Sequence, residues 1–183
     1  MRKSLRQFIL SAAFVALASG AAAQGRVPAT DSGAIGGDVG VIVPRSDALS
    51  SGPVLEGFFE YYFSPRTSLR LGLGWADPSF DRDDEDSLRT LRVPIDLVYN
   101  WEGGTVHPFV GAGIGIYFLQ RKENGESFGD SETKLGATLF GGAELFTGRT
   151  VSVKGEARYH LVGDVFGLNP GGLAVTIGLK KYF

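Results

Sequence analysis

The stretch VSVKGEARYHL, Val151 to Leu161, sorts its residues by parity. Val151, Val153, Ala157, Tyr159 and Leu161 fall on one parity, and Ser152, Lys154, Glu156, Arg158 and His160 on the other. On a helix these charges would be scattered around the axis, whereas on a strand they share one face. The segment therefore reads as a strand with one apolar and one polar side.

The same alternation runs through the chain. Leu173, Val175, Ile177 and Leu179 alternate with Ala174, Thr176, Gly178 and Lys180. Leu55, Phe59, Tyr61 and Phe63 stand against Glu56 and Glu60, and Leu69, Leu71, Leu73 and Trp75 against Arg70, Gly72 and Gly74. Eight such runs are expected, at about 33–43, 54–63, 68–76, 89–100, 108–119, 134–146, 151–162 and 172–183. Pro94 lies within the fourth and cannot donate a ladder hydrogen bond, which predicts a bulge or a local break there.

Connections alternate in length. SPRT (64–67), WEGGTVH (101–107) and TGRT (147–150) are short. PRSDALSSGP (44–53), ADPSFDRDDEDS (76–87), QRKENGESFGDSET (120–133) and the region around VGDVFGLNPG (162–171) are longer. Short turns at one end and long loops at the other characterise transmembrane barrels. The expected fold is all-β, an eight-stranded antiparallel up-and-down transmembrane β-barrel.

The N-terminus precedes that domain. MRKSLRQ carries three bases and no acid; the apolar run FILSAAFVAL (Phe8–Leu17) and an A-x-A end at Ala21 and Ala23 follow. This is the pattern of a secretory signal peptide. Residues 1–23 are read as that segment, with cleavage before Gln24, 24–32 as a short lead-in, and 33–183 as the barrel. The apolar run is too short for a spanning helix, which takes about 20 residues.

The chain has 18 basic and 20 acidic residues; without the three bases of the signal segment, 15 face 20, a net charge of −5. That balance argues against a nucleic-acid partner, which selects for clustered positive charge. With no cysteine, the exported chain must close itself by packing and hydrogen bonds.

Alternation alone does not say which face is outside, since a lipocalin-like barrel turns the same pattern inside out. Two features favour a membrane barrel. On the apolar parity, Phe63 and Tyr99 stand at turn ends and Trp75, Phe118 and Tyr159 at loop ends, an arrangement expected of two aromatic girdles. The polar parity carries Asp38, Glu56, Glu60, Asp96, Glu144 and Glu156 with Arg70, Arg92, Lys154, Arg158 and Lys180, and also His160. Near balance of sign suits a structural charge network inside a narrow lumen, where an unpaired ion costs several kcal/mol. Such a lumen should be plugged.

VGAGIGIYF (Val110–Phe118) has glycines at 111, 113 and 115. A phosphate-binding glycine loop should join a strand to a helix, and no helix follows here. These glycines share the lumen parity and are expected to leave room for long chains such as Arg92 and Glu144.

At this point the sequence resembles the small eight-stranded outer-membrane β-barrels of Gram-negative bacteria. The resemblance covers nearly the whole of 24–183 and rests most on the terminal strand VTIGLKKYF, on HPFVGAGIGIYF and on EYYFSPRTSLRLGLGW. It implies integral residence in the outer membrane, both termini in the periplasm, and a monomer whose partners are outer-membrane lipids and lipopolysaccharide. It also implies that the outer-membrane assembly machinery reads Phe183, with Leu179 and Ile177 on the same parity. Lys181 departs from the family pattern, which has Tyr or another apolar residue there. The family names no single activity.

Other chemistry is weighed on the residues. Glu156 and His160 share a face about 13 Å apart by strand rise, too far for a direct pair; His107 lies in a turn at the opposite end. A lipid A deacylase-like activity is the enzymatic alternative, but the H-x-S arrangement is absent after His160 and that histidine faces the lumen. A narrow channel for small hydrophobic or ionic solutes is the other. Asp81, Asp83 and Glu85 in DRDDED (81–86) have calcium-loop spacing, but Asp86 stands where the sharp-turn glycine belongs. Weak divalent-cation binding there is a hypothesis. The expected role is structural or surface-interactive in the cell envelope, without enzymatic activity or cofactor.

Overall fold

The computed structural model describes residues 28–183 apart from 81–82, 102–103, 124–125, 128, 130 and 166. The expected signal segment 1–23 and the first part of the expected lead-in lie outside the described residues. Among those described, the strands are β1 (Ser32–Pro44), β2 (Gly52–Tyr62), β3 (Thr67–Ala76), β4 (Ser79–Phe80) and β5 (Asp83–Asn100). They continue with β6 (Val106–Glu123), β7 (Glu126–Ser127), β8 (Glu132–Phe146), β9 (Val151–Val162) and β10 (Gly172–Tyr182). Every pairing is antiparallel.

Each long strand pairs with the next along the chain, and β10 returns to β1 from Ala34↔Tyr182 to Pro44↔Gly172. The eight long strands thus close into a barrel without a free edge, which is what a sheet in lipid requires of its backbone polar groups. The two-residue β4 and β7 are extensions paired to β5 and β6 outside the main wall.

Two strands outrun the sequence expectation. β5 begins at Asp83 and β6 runs from Val106 to Glu123, pairing as far as Ser87↔Lys122. Above the membrane both faces of this hairpin lose the apolar-polar contrast, so parity gave no sign of it. At the other end Val106 pairs with Leu145 and His107 with Glu144, so His107 belongs to β6 and not to a turn. Pro94 produces a local break and no bulge. The β3–β5 ladder lapses between Leu71↔Ile95 and Gly74↔Arg92 and resumes in the same register.

Burial follows parity. In β2 and β9 inward and outward residues alternate along nearly the whole strand. The inward set mixes eleven charged side chains with aromatic, aliphatic and small polar ones, whereas the outward set is apolar, reaching 68% exposure at Ile114 and 79% at Leu135. A water-soluble protein does not present an uninterrupted apolar wall around its whole girth. The medium for this wall is lipid.

Candidate functional site: a charge-filled lumen sealed at both ends

The twelve lumen positions named from the sequence are all buried. Among the described residues, the six acids and five bases of that set join into one network because inward parity on every strand aims them at a common axis.

Nearest the chain termini, Lys180 reaches Glu60 at 2.9 Å, the hydroxyl of Tyr62 at 2.8 Å, and Glu144. Tyr182 donates its hydroxyl to Glu144, and Ser152 Oγ donates to the same carboxylate at 3.2 Å. Below this layer Ala34, Tyr62, Phe146 and Tyr182 form an apolar cluster across the opening. His107 packs its ring on Phe146 at 4.7 Å and bonds through Nε2 to the Gly104 carbonyl.

Halfway up, Arg70 donates from Nε to Glu60 at 3.1 Å and from Nη1 to Glu156 at 2.7 Å. Its guanidinium stands over the rings of Phe58 and Phe140, at 4.7 and 5.4 Å from their centroids. Lys154 bridges Asp38 at 2.7 Å and Glu156 at 2.9 Å. Toward the loops, Arg158 binds Glu156 at 2.8 Å and Asp96 at 2.7 Å, and Arg92 binds Glu56 at 2.6 Å. Glu156 is therefore a hub for three cations drawn from two strands. Each of the six acids has at least one cation within 4 Å, which offsets the desolvation that ions would otherwise suffer in a dry interior.

The loop end is closed by a second apolar cluster. Leu49, Leu88, Tyr117, Leu119, Val162 and Val165 are buried together, with Phe80 and Leu168 packed on them. Under it Tyr117 and His160 meet through the phenol oxygen and Nδ1 at 3.0 Å. Glu156 faces the three cations and His160 faces Tyr117, so the two do not form a catalytic or metal pair. Among the described residues, no three potential ligands of the His, Cys, Asp and Glu type are placed to hold a metal ion.

Glycines make the room this network needs, though not for the partners the sequence suggested. A Cβ at Gly113 would collide with the Asp96 carboxylate, one at Gly111 with the Phe140 ring, and one at Gly115 would crowd Pro94. Arg92 instead lies over Gly74. The register explains this correction: Gly113 is the direct cross-strand partner of Asp96, whereas Arg92 pairs with Tyr117 and Glu144 with His107.

Sequence reasoning missed Ser68 and Thr138 and placed Ser152 on the polar parity without a partner; the three donate to Glu60, Asp96 and Glu144. It also missed the inward tyrosines 62, 117 and 182. All share the lumen parity, so counting every inward position instead of only the charged ones would have found them.

On the outer wall Phe63, Tyr99, Phe118 and Tyr159 are exposed and Trp75 is half-buried. Phe63 meets Tyr61 edge-on at 5.4 Å and Tyr99 meets Trp101 at 5.0 Å, which thickens the aromatic group at the turn end. Ile177, Leu179 and Phe183 all point outward. Phe183 exchanges backbone hydrogen bonds with Gly33 and sets its ring 6.3 Å from Phe59. Of the acidic run, Asp81 and the side chains of 83–85 lie outside the described residues, and Asp86 sits 3.6 Å from Arg121.

A closed eight-stranded barrel, apolar outside and ionic inside, defines an integral membrane protein of the outer-membrane type. The chain belongs to the family described as outer membrane protein beta-barrel domain, whose model matches residues 9–180, and it is an integral protein of the bacterial outer membrane. Its fold is similar to that of Neisserial surface protein A, with a TM-score of 0.69 at 15% identity over 82% of this chain and 97% of that one. It is also similar to outer membrane protein OprG from Pseudomonas aeruginosa, with a TM-score of 0.62 at 15% identity over 87% and 98%. For the N-terminal β-barrel domain of Pseudomonas aeruginosa OprF the TM-score is 0.58 at 14% identity over 84% and 98%. A comparison with curated protein sequences finds no match. At these identities the likeness concerns the fold alone.

Proposed function

We propose that this protein is a non-enzymatic barrel of the cell envelope, a plugged cylinder that strengthens the outer membrane and presents four loops at the cell surface. Both termini and the short turns stand in the periplasm, after removal of residues 1–23. Its partners are outer-membrane lipids, lipopolysaccharide and, during biogenesis, the assembly machinery that reads the strand ending at Phe183.

One observation carries this reading: the lumen is filled from end to end. A continuous ion network lies between two apolar clusters. The cavity beneath the loop-side cluster, bounded by Thr90, Arg92, Tyr117 and His160, offers about 10 Å³ to water. That is room for about one water molecule. A solute path through it would require breaking several buried ion pairs at once. The deacylase-like alternative is disfavoured because His160 is engaged by Tyr117 inside the lumen, away from lipid substrate.

The test combines three measurements on the intact protein. Cell fractionation should place it in the outer membrane, planar bilayers should show no conductance steps, and lipid A from an expressing host should keep its mass. Stepwise conductance would support the channel. A lighter lipid A that reverts with His160→Ala would establish the enzyme.

A further inference from the structure

The outer wall is not uniformly clothed. Along β1–β3 the outward positions carry Ile35, Val39, Leu55, Phe59, Leu71 and Leu73, yet two neighbours are bare. Gly37 and Gly57 are direct cross-strand partners on the lipid side, and a Cβ at Gly57 would meet nothing within 4 Å. Their backbone forms the floor of a depression of about 430 Å³. Its walls are Leu55, Leu73, Trp75 and Leu91, with Leu55 paired to Trp75 and Trp75 to Leu91 in the register.

Glycine weakens a strand, and a glycine in a strand interior often marks where another group approaches the backbone closely. Neither glycine can be explained by crowding from the lumen, because both face outward. The depression is continuous with the apolar wall that meets lipid, and it rises from mid-depth toward Trp75 at the loop end of β3. We propose that the Gly37–Gly57 depression holds the hydrocarbon tail of a membrane lipid from the loop-side leaflet. The tail would lie on bare backbone between aliphatic walls, with the Trp75 ring at its upper end. This rests on the outer wall facing lipid and deepens that reading by giving one lipid a seat.

The protein has two tryptophans, so Trp101→Phe leaves Trp75 as a sole reporter. The full chain is reconstituted in phosphatidylcholine vesicles with increasing fractions of lipid brominated on the acyl chain, a quencher on contact. A seated tail gives quenching that saturates at low fractions of brominated lipid, above the rise expected of random contact. Gly57→Leu fills the seat, so this excess should be lost while the barrel keeps its heat-modifiable mobility on gels. Quenching that simply follows bulk lipid composition, or is unchanged by Gly57→Leu, overturns the proposal. No quenching by any brominated lipid overturns the lipid-facing wall itself. A dimer in sedimentation that Gly57→Leu turns into a monomer makes a second copy the occupant and also overturns it.

Discussion

Arg70 is bound by Glu60 and Glu156 and enclosed by the rings of Phe58, Phe109 and Phe140. Truncating it removes one cation from each of two buried carboxylates, leaving Glu60 with Lys180 and Glu156 with Lys154 and Arg158. Arg70→Ala should therefore cost about 3–5 kcal/mol, read as a shift of the urea unfolding transition in lipid vesicles. Arg70→Met combined with Glu60→Gln should recover part of it, because the charge left behind is smaller. Gly113 makes the complementary case. Gly113→Leu drives a side chain into the Asp96 carboxylate, and overpacking of this kind costs about 1–3 kcal/mol. An unchanged unfolding midpoint would show that the glycine makes no needed space. At this scale the sequence showed which residues face inward but not who meets whom. Arg70 and Glu156 are 86 positions apart and lie on β3 and β9, which do not pair. Parity says nothing about neighbours across a lumen, which depend on stagger and closure.

Among the elements, β10 is the one that decides closure. It pairs with β9 on one side and with β1 on the other, and Phe183 adds a reciprocal backbone bond pair with Gly33. The ring of Phe183 also covers the Cβ position of Gly33 and approaches Phe59. Phe183→Ala should then do two things. It should lower the yield of protein in outer-membrane fractions, and it should loosen the seam, raising amide exchange in the first residues of β1. A normal yield with normal exchange would mean that the terminal ring serves neither assembly nor closure. The strands themselves were legible because one face had to be apolar through the membrane. Where that demand stops, as in the β5–β6 hairpin beyond Arg89, the signal stops with it, and the strand continues on backbone pairing, the packing of Leu88 into the loop-end cluster and the Asp86–Arg121 ion pair. Pro94 was legible as a missing donor, yet the ladder toward β3 absorbs it without changing register because the loss is confined to one side.

For the whole molecule, the pattern of buried charge and exposed aliphatic surface settles what the alternation left open. A soluble carrier with the same strands would carry its leucines inside, whereas here Leu71, Leu97, Leu135 and Ile177 look out. The folded barrel should migrate differently from the boiled chain on a gel, and identical mobility would contradict a closed sheet. The apolar clusters at the two mouths have a further consequence. They enclose the ion network between the two mouths of the cylinder. Water should reach the fully buried guanidinium of Arg70 only when a mouth or the seam opens. Guanidinium protons of Arg70 should accordingly exchange with solvent no faster than the barrel opens, so their exchange times the opening of the cylinder.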